Sequence, residues 1–513
     1  MNRMDNDLLA IQEARILIEN AREAQKILAT FSQEKLDRIV ERMAGEVVKH
    51  ARELAIMSQE ETGFGKWQDK YIKNMFASDF LSKKIRTMKV VGIIAEDKEN
   101  QTMDVGVPVG VIVALLPSTN PVSTAIYKTL IAVKSGNAIV FSPHPKAKKT
   151  TRRVLEILVR TAEASGLPCG AIGYQRTQAL EGTLGLMNHQ DTALIIVTGV
   201  PKLVKAAYAA GKPTIYGGPG NGPAFIERSA DIKQAVADII TSRTFDHGIV
   251  SASEQSVVAE ECIADEVRQE LRRNGGYFLS EGESEQLGKL FLRPDGSVNP
   301  DIVGKSAVEL ARKIGITVAE NTKVLISEQK FVSPTNPYAK EKLCPVLAFY
   351  VEKDWLNACE KCIELLLNDG RGHTLVIHSR NEQVIREFAL KKPVSRVLVN
   401  TPATLGGIGG TTNLFPALTL GCGAVGGGFT SDNVSPLNLI NIRKVGYGVR
   451  KLEDITCGVP AESVGSSESA GLTRLTGLNG SFCPGPGYPK EKNQDLNELL
   501  ETLLEQLLPY RNA

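Results

Sequence analysis

In the first half of the chain, apolar runs rich in β-branched residues alternate with segments of helical periodicity, and this alternation constrains the fold most strongly. The run VGVIVALLP at 109–117 ends at a proline and has the composition of a strand buried on both faces. Further strands are predicted at 137–143 and 192–199, and helices that end at glycines at 124–136 and 151–166. This order of elements predicts an α/β fold with a doubly wound parallel sheet.

The second half of the chain repeats this pattern and then changes character. Helix and strand patterns alternate again from about residue 232 to 452, which predicts a second α/β unit. Residues 457–494 are rich in glycine, serine and proline, which is typical of a flexible linker. Seven leucines then form one stripe of a predicted helix at 495–509. Such a helix either docks on its own domain or binds a partner protein, and the preceding linker favours a partner.

The composition is that of an ordinary globular protein and argues against several classes of function. Hydrophobic residues make up 42% of the chain, charged residues 23%, and the formal net charge is +2. No strong global field therefore attracts nucleic acid or a membrane surface. No apolar run approaches the roughly 20 residues that span a bilayer, and the N-terminus lacks a signal-peptide pattern. We expect a cytoplasmic protein without nucleic-acid or membrane partners.

The eight cysteines are scattered and do not resemble a disulfide framework. Cys359 and Cys362 form a C-x-x-C in a segment with a helical pattern. A zinc site needs a second pair of ligands at a suitable spacing, and the sequence shows none. We interpret both cysteines as structural and predict no metal site, with a metal or redox role as the alternative.

Polar or glycine-rich turns follow the predicted strands, where open α/β sheets bind ligands. Ser118, Thr119 and Asn120 come directly after the first strand, where they could donate hydrogen bonds to an oxyanion or a phosphate. Residues 141–150 form a similar basic turn, and four glycines in 216–225 permit close approach of backbone to a ligand. Ordinary turns, an N-cap and an exposed basic loop are the structural alternatives.

The segment FDHGIVSASEQSVV at 245–258 places small residues and serines before an apolar, strand-like run. Ser251 or Ser253 is a candidate hydroxyl nucleophile on a loop whose backbone N–H groups face the reacting carbonyl. The alternative is a loop that caps a helix, and residue chemistry alone favours it. His373 could orient a substrate or act on a thiol, but a lone histidine is more commonly structural. The glycines at 421–428 permit close approach to a ligand or a neighbouring backbone.

Over roughly residues 5–455 the chain resembles the CoA-acylating aldehyde dehydrogenases. These include the stand-alone acetaldehyde and propionaldehyde enzymes and the aldehyde module of bifunctional aldehyde–alcohol dehydrogenases. The segments that carry the resemblance are PVGVIVALLPSTNP, AVKSGNAIVFSPHP, TALIIVTG, YGGPGN, FDHGIVSASEQSV, EKLCPVLAFY, GRGHT and TLGCGAVGG. Because the bifunctional enzymes continue into an iron-dependent alcohol dehydrogenase where this chain stops, a single-function enzyme is expected.

The resemblance implies an aldehyde dehydrogenase-like fold with a doubly wound cofactor domain, an α/β catalytic domain and a small oligomerisation element. The expected divisions are 1–240 for the cofactor domain with N-terminal helices and oligomerisation strands near 100–112, 241–427 for the catalytic domain, 428–456 for a return to the cofactor and oligomerisation region, 457–494 for the linker and 495–509 for the tail helix. Relatives form dimers or tetramers, so a homo-oligomer is expected.

The resemblance also implies roles for individual residues. Ser251 stands where the family has the cysteine that attacks the aldehyde. Thr119 and Asn120 match residues that contact the oxyanion and the nicotinamide, and His373 matches the histidine of the thiol-transfer step. The expected lining of the NAD cleft is Ser118, Ser142, Pro143, His144, Pro145, Thr198, Gly199, Gly217, Gly218 and Glu341, the last matching a glutamate that meets the nicotinamide ribose in hydrolytic relatives.

The implied reaction is the reversible, NAD-dependent oxidation of a short-chain aldehyde to acyl-CoA, through a cysteine thiohemiacetal and a thioester, with coenzyme A as co-substrate. Hydrolytic relatives carry a water-activating glutamate before a Leu-Gly-Gly, whereas residues 214–218 read TIYGG. The missing carboxylate favours CoA over water as the acyl acceptor. The alternatives are hydrolytic oxidation to a free acid, reduction of an acyl phosphate, and a non-catalytic cargo or scaffold protein.

Ser251 departs from the family pattern. A cysteine thiol has a pKa of about 8.5 and its thiolate is a strong nucleophile, whereas a serine hydroxyl needs a strong adjacent base. An ester is also a poorer acyl donor to CoA than a thioester. We hypothesise a nearly inactive Cys-to-Ser variant, and the intact cleft motifs favour an introduced exchange over a natural pseudoenzyme.

The predicted helix at 495–509 resembles the encapsulation peptides that direct enzymes into bacterial microcompartments. The resemblance implies a shell protein as its partner and a location inside a cytoplasmic microcompartment.

Overall fold

The computed structural model describes residues 5–199, 201–294 and 296–455. Its helices are α1 Asn6–Leu28, α2 Gln33–Thr62, α3 Trp67–Met75, α4 Leu81–Ile85, α5 Pro121–Lys134, α6 Lys148–Ala164, α7 Leu180–Asn188, α8 Pro201–Ala209, α9 Ile232–Thr244, α10 Ala264–Arg273, α11 Glu281–Gly288, α12 Ala307–Lys313, α13 Trp355–Asn368, α14 Glu382–Lys391, α15 Ala403–Gly407 and α16 Leu452–Ile455. Its strands are β1 Gly92–Asp97, β2 Thr102–Pro108, β3 Val111–Leu115, β4 Ile139–Ser142, β5 Ile172–Tyr174, β6 Thr192–Thr198, β7 Thr214–Gly217, β8 Pro223–Ile226, β9 Ser256–Glu260, β10 Gly276–Phe278, β11 Val324–Glu328, β12 Val346–Glu352, β13 Gly372–His378, β14 Val394–Val399 and β15 Ile440–Gly446.

Two compact units divide the chain. Met1–Tyr447 is the first, and it contains the three sheets. Gly448–Ala513 is the second, and its described part, 448–455, contains the short helix α16. The predicted linker at 457–494 and tail helix at 495–509 lie outside the described residues. Within the described ranges, no helix is long and apolar enough to cross a membrane.

The start of the first sheet shows why apolar runs alternate with helices in this sequence. Every residue of β3 and every residue of α5 is buried, because the strand is covered on both faces and the helix lies within the packed layer. α5 begins at Pro121, earlier than predicted, since proline lacks an N–H and fits the first helical turn. Gly136 follows its end with a φ of +72°.

The first sheet has five parallel strands in the order β5-β4-β3-β6-β7. The chain runs outward from β3 to β5 and then returns to β6 on the other side of β3. With right-handed crossovers, α5 and α6 cover one face, and α7 and α8 cover the other. The doubly wound α/β fold is therefore confirmed, and its topological switch point lies between β3 and β6.

The second sheet has seven parallel strands in the order β10-β11-β12-β9-β8-β13-β14. Buried apolar side chains form a separate core on each of its faces. The predicted strand at TLVIHS is longer than expected, because β13 begins at Gly372 and therefore includes His373.

The third sheet is antiparallel and has the order β1-β2-β15. Its β1 and β15 strands are mostly exposed, and the apolar side chains Ile93 and Ile442 are 57% and 47% exposed. It contains β2, the strand that the sequence placed near 100–112, and β15 from the predicted return region 428–456. Its role in oligomerisation stays a prediction.

Candidate active site

The predicted site residues lie where two sheet edges meet. The turns after β3, β4, β6 and β7 share the carboxyl edge of the five-stranded sheet, because these strands are parallel neighbours. The segments before β9 and β12 and the first residues of β13 share the amino edge of the seven-stranded sheet. A bridge between Gly217 and Gly421, and close packing of Gly220 on Ser251, connect the segments at these edges.

Ser251 and His373 form the central contact of this cleft. Ser251 Oγ lies 3.1 Å from His373 Nε2, although 122 residues separate them in the chain. Ser251 is half-buried, whereas His373 is only 1% exposed. Burial, assisted by the positive charge of Arg396, lowers the pKa of His373 to about 3. The imidazole is therefore neutral at physiological pH and can exchange a hydrogen bond with the group at position 251.

The structure separates the two candidate serines. Ser253 is fully buried, and its Oγ accepts a hydrogen bond of 3.3 Å from Arg243 Nη1. The same guanidinium donates from Nη2 to Gln255 Oε1 at 2.9 Å. Arg243 thus stabilises the loop through buried hydrogen bonds, and Ser253 is one of its partners. Ser251 is the serine that faces a histidine and remains partly accessible.

Glycine is required at position 220 because the Ser251 loop approaches its backbone closely. A Cβ at this position would lie 1.6 Å from the carbonyl oxygen of Ser251. The Gly220 N–H donates to Glu341 Oε1 at 2.9 Å, so Glu341 lies next to the loop of Ser251. Burial, reinforced by Asp369, raises the pKa of Glu341 to about 8. The glycine density of 216–225 was the sequence signal for this contact.

A buried charge cluster, which sequence reasoning missed, supports the turn after β3. Lys73 Nζ, on α3, donates to Asn120 Oδ1 and to Asp246 Oδ2. Lys70 Nζ donates to the carbonyl of Thr119 and to Asp246 Oδ2, both at 3.0 Å. Burial alone would raise the pKa of Asp246, but the two lysines outweigh it and hold that pKa below its usual value. This lysine–aspartate cluster ties residues 119–120 to the segment that leads into Ser251.

The remaining predicted residues line the carboxyl edge of the first sheet. Ser142 is buried and shares a 2.8 Å hydrogen bond with Thr183, and Thr198 shares one of 3.0 Å with Thr419. Of the others, Pro143 is buried, His144 and Ser118 are half-buried, and Pro145 is exposed. Gly199 adopts a φ of +67°, and Gly217 and Gly218 lie at the end of β7.

This edge suits a dinucleotide. The turns after β3 and β6 flank the topological switch point and lead into the N-termini of α5 and α8, where helix dipoles favour phosphate groups. α5 begins with Pro121, which has no N–H, and no side chain caps its first turn. In the described part of the chain, no cluster of three or more His, Cys, Asp or Glu side chains could hold a metal ion.

Comparison with known proteins decides the family. The sequence profile of the aldehyde dehydrogenase family matches residues 9–334. The chain belongs to the aldehyde dehydrogenase family. The fold and the family that the sequence segments indicated are therefore confirmed.

Among curated relatives of this aldehyde dehydrogenase is the bifunctional aldehyde-alcohol dehydrogenase of Escherichia coli strain K12. It is 42% identical over 440 residues, which are 85% of this chain and 49% of the relative. The chain thus spans about half the length of the bifunctional relatives that it matches.

Solved structures similar to this dehydrogenase include acylating enzymes. An acetylating aldehyde dehydrogenase from Geobacillus thermoglucosidasius is 45% identical with a TM-score of 0.85, over 87% of this chain and 99% of that one. A propionaldehyde dehydrogenase from the fucose utilisation microcompartment of Clostridium phytofermentans is 29% identical with a TM-score of 0.77, over 85% and 97%. One from Rhodopseudomonas palustris, solved with bound CoA and an acylated cysteine, is 26% identical with a TM-score of 0.76, over 85% and 97%.

Glu254, three residues after Ser251, makes the stability of this loop depend on pH. Its Oε1 accepts the Ala403 N–H at 2.9 Å, whereas Oε2 has no partner within the described residues. Burial raises the pKa of Glu254 from 4.5 to about 7. The folded state therefore binds this proton more tightly than the unfolded state, so the contribution to stability is present below pH 4.5 and is lost as pH rises to about 7.

We expect Glu254→Gln, which mimics the protonated carboxyl, to flatten this fall in the free energy of unfolding. Urea denaturation of both proteins between pH 4.5 and pH 8 measures the difference. Glu261→Gln, at an exposed position, is the matched control and should leave the pH dependence as it is. An unchanged slope in the Glu254→Gln protein would contradict the assignment.

Proposed function

We propose that this aldehyde dehydrogenase site performs the NAD-dependent, CoA-acylating oxidation of a short-chain aldehyde when cysteine occupies position 251. The contact of 3.1 Å between Ser251 Oγ and His373 Nε2 carries this proposal. In this proposal residue 251 is the nucleophile position, and it lies beside a neutral imidazole in a cleft between the two sheets. Support for the CoA-acylating reaction comes from the acetylating and CoA-bound relatives.

Each residue of the site has a defined task in this proposal. A thiolate at position 251 attacks the aldehyde carbon, and the backbone N–H of residue 251 and Asn120 Nδ2 donate to the resulting oxyanion. A bound nicotinamide would supply the hydride acceptor. His373, neutral because of its lowered pKa, then accepts the proton of the CoA thiol that displaces the acyl group.

The absence of a carboxylate at residues 214–218, at β7, supports CoA as the acyl acceptor. Residues 214–218 contain no carboxylate, and Tyr216 occupies the middle of this stretch. A tyrosine hydroxyl at ordinary pH is a poor base for water, and burial raises the pKa of Tyr216 further. The site therefore favours a thiol, which needs only a weak base, over water.

The same imidazole cannot activate serine. With a pKa of about 3 it is a weak base, and a serine hydroxyl is far harder to deprotonate than a thiol. His373 Nδ1 has no hydrogen-bond partner among the described residues, so no carboxylate completes a triad. We infer that the chain with Ser251 is nearly inactive.

We expect Ser251→Cys to raise the rate of acyl-CoA formation from a short-chain aldehyde, NAD and CoA roughly 10⁴-fold or more, the scale of a restored nucleophile. The measurement is NADH absorbance together with direct detection of acyl-CoA. Ser251→Ala is the matched control and should be as inactive as the Ser251 protein. Equal turnover by the Ser251 and Ser251→Cys proteins would contradict the inference of inactivity.

The acyl acceptor is tested with the same Ser251→Cys protein. Supplying CoA, phosphate or water alone should yield product at a substantial rate only with CoA. Release of free acid without CoA would instead indicate hydrolytic oxidation. A protein that binds neither NADH nor CoA by calorimetry would support a scaffold role and contradict the enzymatic proposal.

Lys73 orients the side-chain amide of Asn120. An ammonium group only donates, so it fixes Asn120 Oδ1 towards Lys73 and leaves Nδ2 to donate elsewhere. That nitrogen makes only a long contact of 3.4 Å with Thr119 Oγ1. Nδ2 therefore remains available to an oxyanion, and Lys73 acts as a positioning residue.

We expect Lys73→Met in the Ser251→Cys protein to lower kcat by about 10–100-fold, because the oxyanion donor loses its orientation. Lys70→Met is the matched control, since Lys70 contacts Asp246 but not Asn120. Both variants lose stability, but the larger loss of kcat should belong to Lys73→Met when folded protein is compared at equal concentration. Equal effects on kcat would contradict the positioning role.

We further propose that the chain assembles as a homo-oligomer and that residues 495–509 bind a microcompartment shell protein. The exposed third sheet, with Ile93 and Ile442, supports self-association. The microcompartment origin of the Clostridium phytofermentans relative supports a location of this kind. The leucine stripe at 496–508 supports docking of a helix in an apolar groove.

A chain that ends at Gly458 should lose co-purification with shell proteins but keep the activity of its Ser251→Cys form. Affinity capture of co-expressed shell proteins, with the full-length chain as reference, measures the loss. Undiminished capture by the shortened chain would remove the tail from this proposal.

A further inference from the structure

The C-x-x-C pair on α13 takes no part in the proposed chemistry. Cys359 and Cys362 lie one helical turn apart, and their side chains are 5% and 0% exposed. Neither belongs to a metal cluster in the described part of the chain. A basic side chain from another element contacts Cys359 and bears on its reactivity.

That side chain is Lys392, the residue that follows the end of α14. It is 7% exposed, and its Nζ donates to Cys359 Sγ. The same ammonium lies 3.8 Å from the centre of the Phe388 ring. Within the described residues no carboxylate forms an ion pair with it. A nearly buried amine whose polar partner is a thiol is unusual, because buried lysines ordinarily pair with carboxylates.

The surroundings of Cys359 favour its oxidation. Lys392 Nζ contacts the sulfur directly, and the thiolate is the form of a cysteine that reacts with an oxidant. The pair lies just beneath the surface, since Cys359 is 5% and Lys392 7% exposed. A small oxidant such as hydrogen peroxide needs little movement of the protein to reach it.

We propose that Cys359 and Lys392 form a covalent crosslink when the protein meets a peroxide. The thiolate sulfur attacks one peroxide oxygen, the O–O bond breaks, and the second oxygen leaves as hydroxide, which takes a proton from the Lys392 ammonium and becomes water. This step oxidises the sulfur to a sulfenic acid and reduces the peroxide. The uncharged Lys392 amine then attacks the sulfur, the S–O bond breaks, and the hydroxyl leaves as water with one N–H proton. The product is an S–N bond, a sulfenamide.

The competing product is a disulfide between Cys359 and Cys362, and the helix disfavours it. Residues three apart on a helix have Cβ atoms about 5–6 Å apart, whereas a disulfide needs about 3.5–4.5 Å. Forming it would require α13 to unwind locally. Lys392 already contacts the sulfur, so the amine captures the sulfenic acid without such a rearrangement.

The crosslink would connect the segments that precede two neighbouring strands, β13 and β14. α13 leads into β13, which begins beside His373, and Lys392 precedes β14, the parallel neighbour of β13. The bond would close a loop between residues that are 33 positions apart. A closed loop restricts the unfolded chain, so the oxidised protein should unfold at a higher temperature than the reduced protein.

Peptide mapping of the full-length protein after peroxide treatment tests the proposal. Cleavage after glutamate and arginine places Cys359, Cys362 and Lys392 on three separate peptides. We expect a joined peptide of 353–360 and 388–396 whose mass is the sum of the two less two hydrogens, and which a thiol reductant separates. A joined peptide that carries one extra oxygen would show the same crosslink with its sulfur oxidised once more by peroxide, and would also support the crosslink.

Matched variants make the result specific. Lys392→Arg keeps the positive charge but removes the nucleophilic amine, so the joined peptide and the rise in melting temperature should both disappear. Lys391→Arg changes the adjacent, half-exposed lysine, which pairs with Glu387, and should leave the crosslink intact. Cys362→Ser should also leave it intact. A disulfide of Cys359 with Cys362, or a sulfinic acid at Cys359 with unmodified Lys392, would overturn the proposal.

Discussion

Asp246, through the contacts of its buried carboxylate, is the residue on which the arrangement of the site depends. It is 0% exposed and adopts a φ of +47°, a conformation that a non-glycine residue keeps only when its surroundings hold it. Lys70, Lys73 and the N–H of Lys66, the last at 2.6 Å, supply that hold. Removing one partner of such a buried pair lowers the free energy of unfolding by about 3–5 kcal/mol, so the members of the cluster depend on one another.

The cluster matters because the cleft is made from elements far apart in the sequence. The five-stranded sheet contributes the turn at 118–120, and the seven-stranded sheet contributes the loop at 250–255. Neither sheet determines where the other lies. Lys73 contacts Asn120 and Asp246 at once, Lys70 contacts the Thr119 carbonyl and Asp246, and together they set this distance. Gly220, with no side chain to hold the loops apart, makes a second contact at the same junction.

Sequence patterns predicted the elements better than their contacts. Apolar runs identified β3, β4 and β6, and the parallel order explains why Ser142 and Thr198 share an edge. The three-residue strand β5 was too short to carry a pattern. The Lys73–Asp246 pair spans 173 residues, and charged residues in an amphipathic helix indicate a solvated face, so no local signal marks them as buried. Likewise, only the fold distinguishes Ser251 from Ser253, because both are small polar residues in one loop.

The proposed exchange of sulfur for oxygen at residue 251 separates what the fold requires from what the chemistry requires. Sulfur and oxygen pack and form hydrogen bonds in almost the same way, since either can pair with His373 Nε2, and so the cleft forms with serine present. Their reactivity differs. The burial that keeps His373 neutral suits a thiol, which ionises near neutral pH, but leaves too weak a base for a hydroxyl. Under the proposed function, the environment therefore suits a nucleophile of lower pKa than the serine that this chain carries.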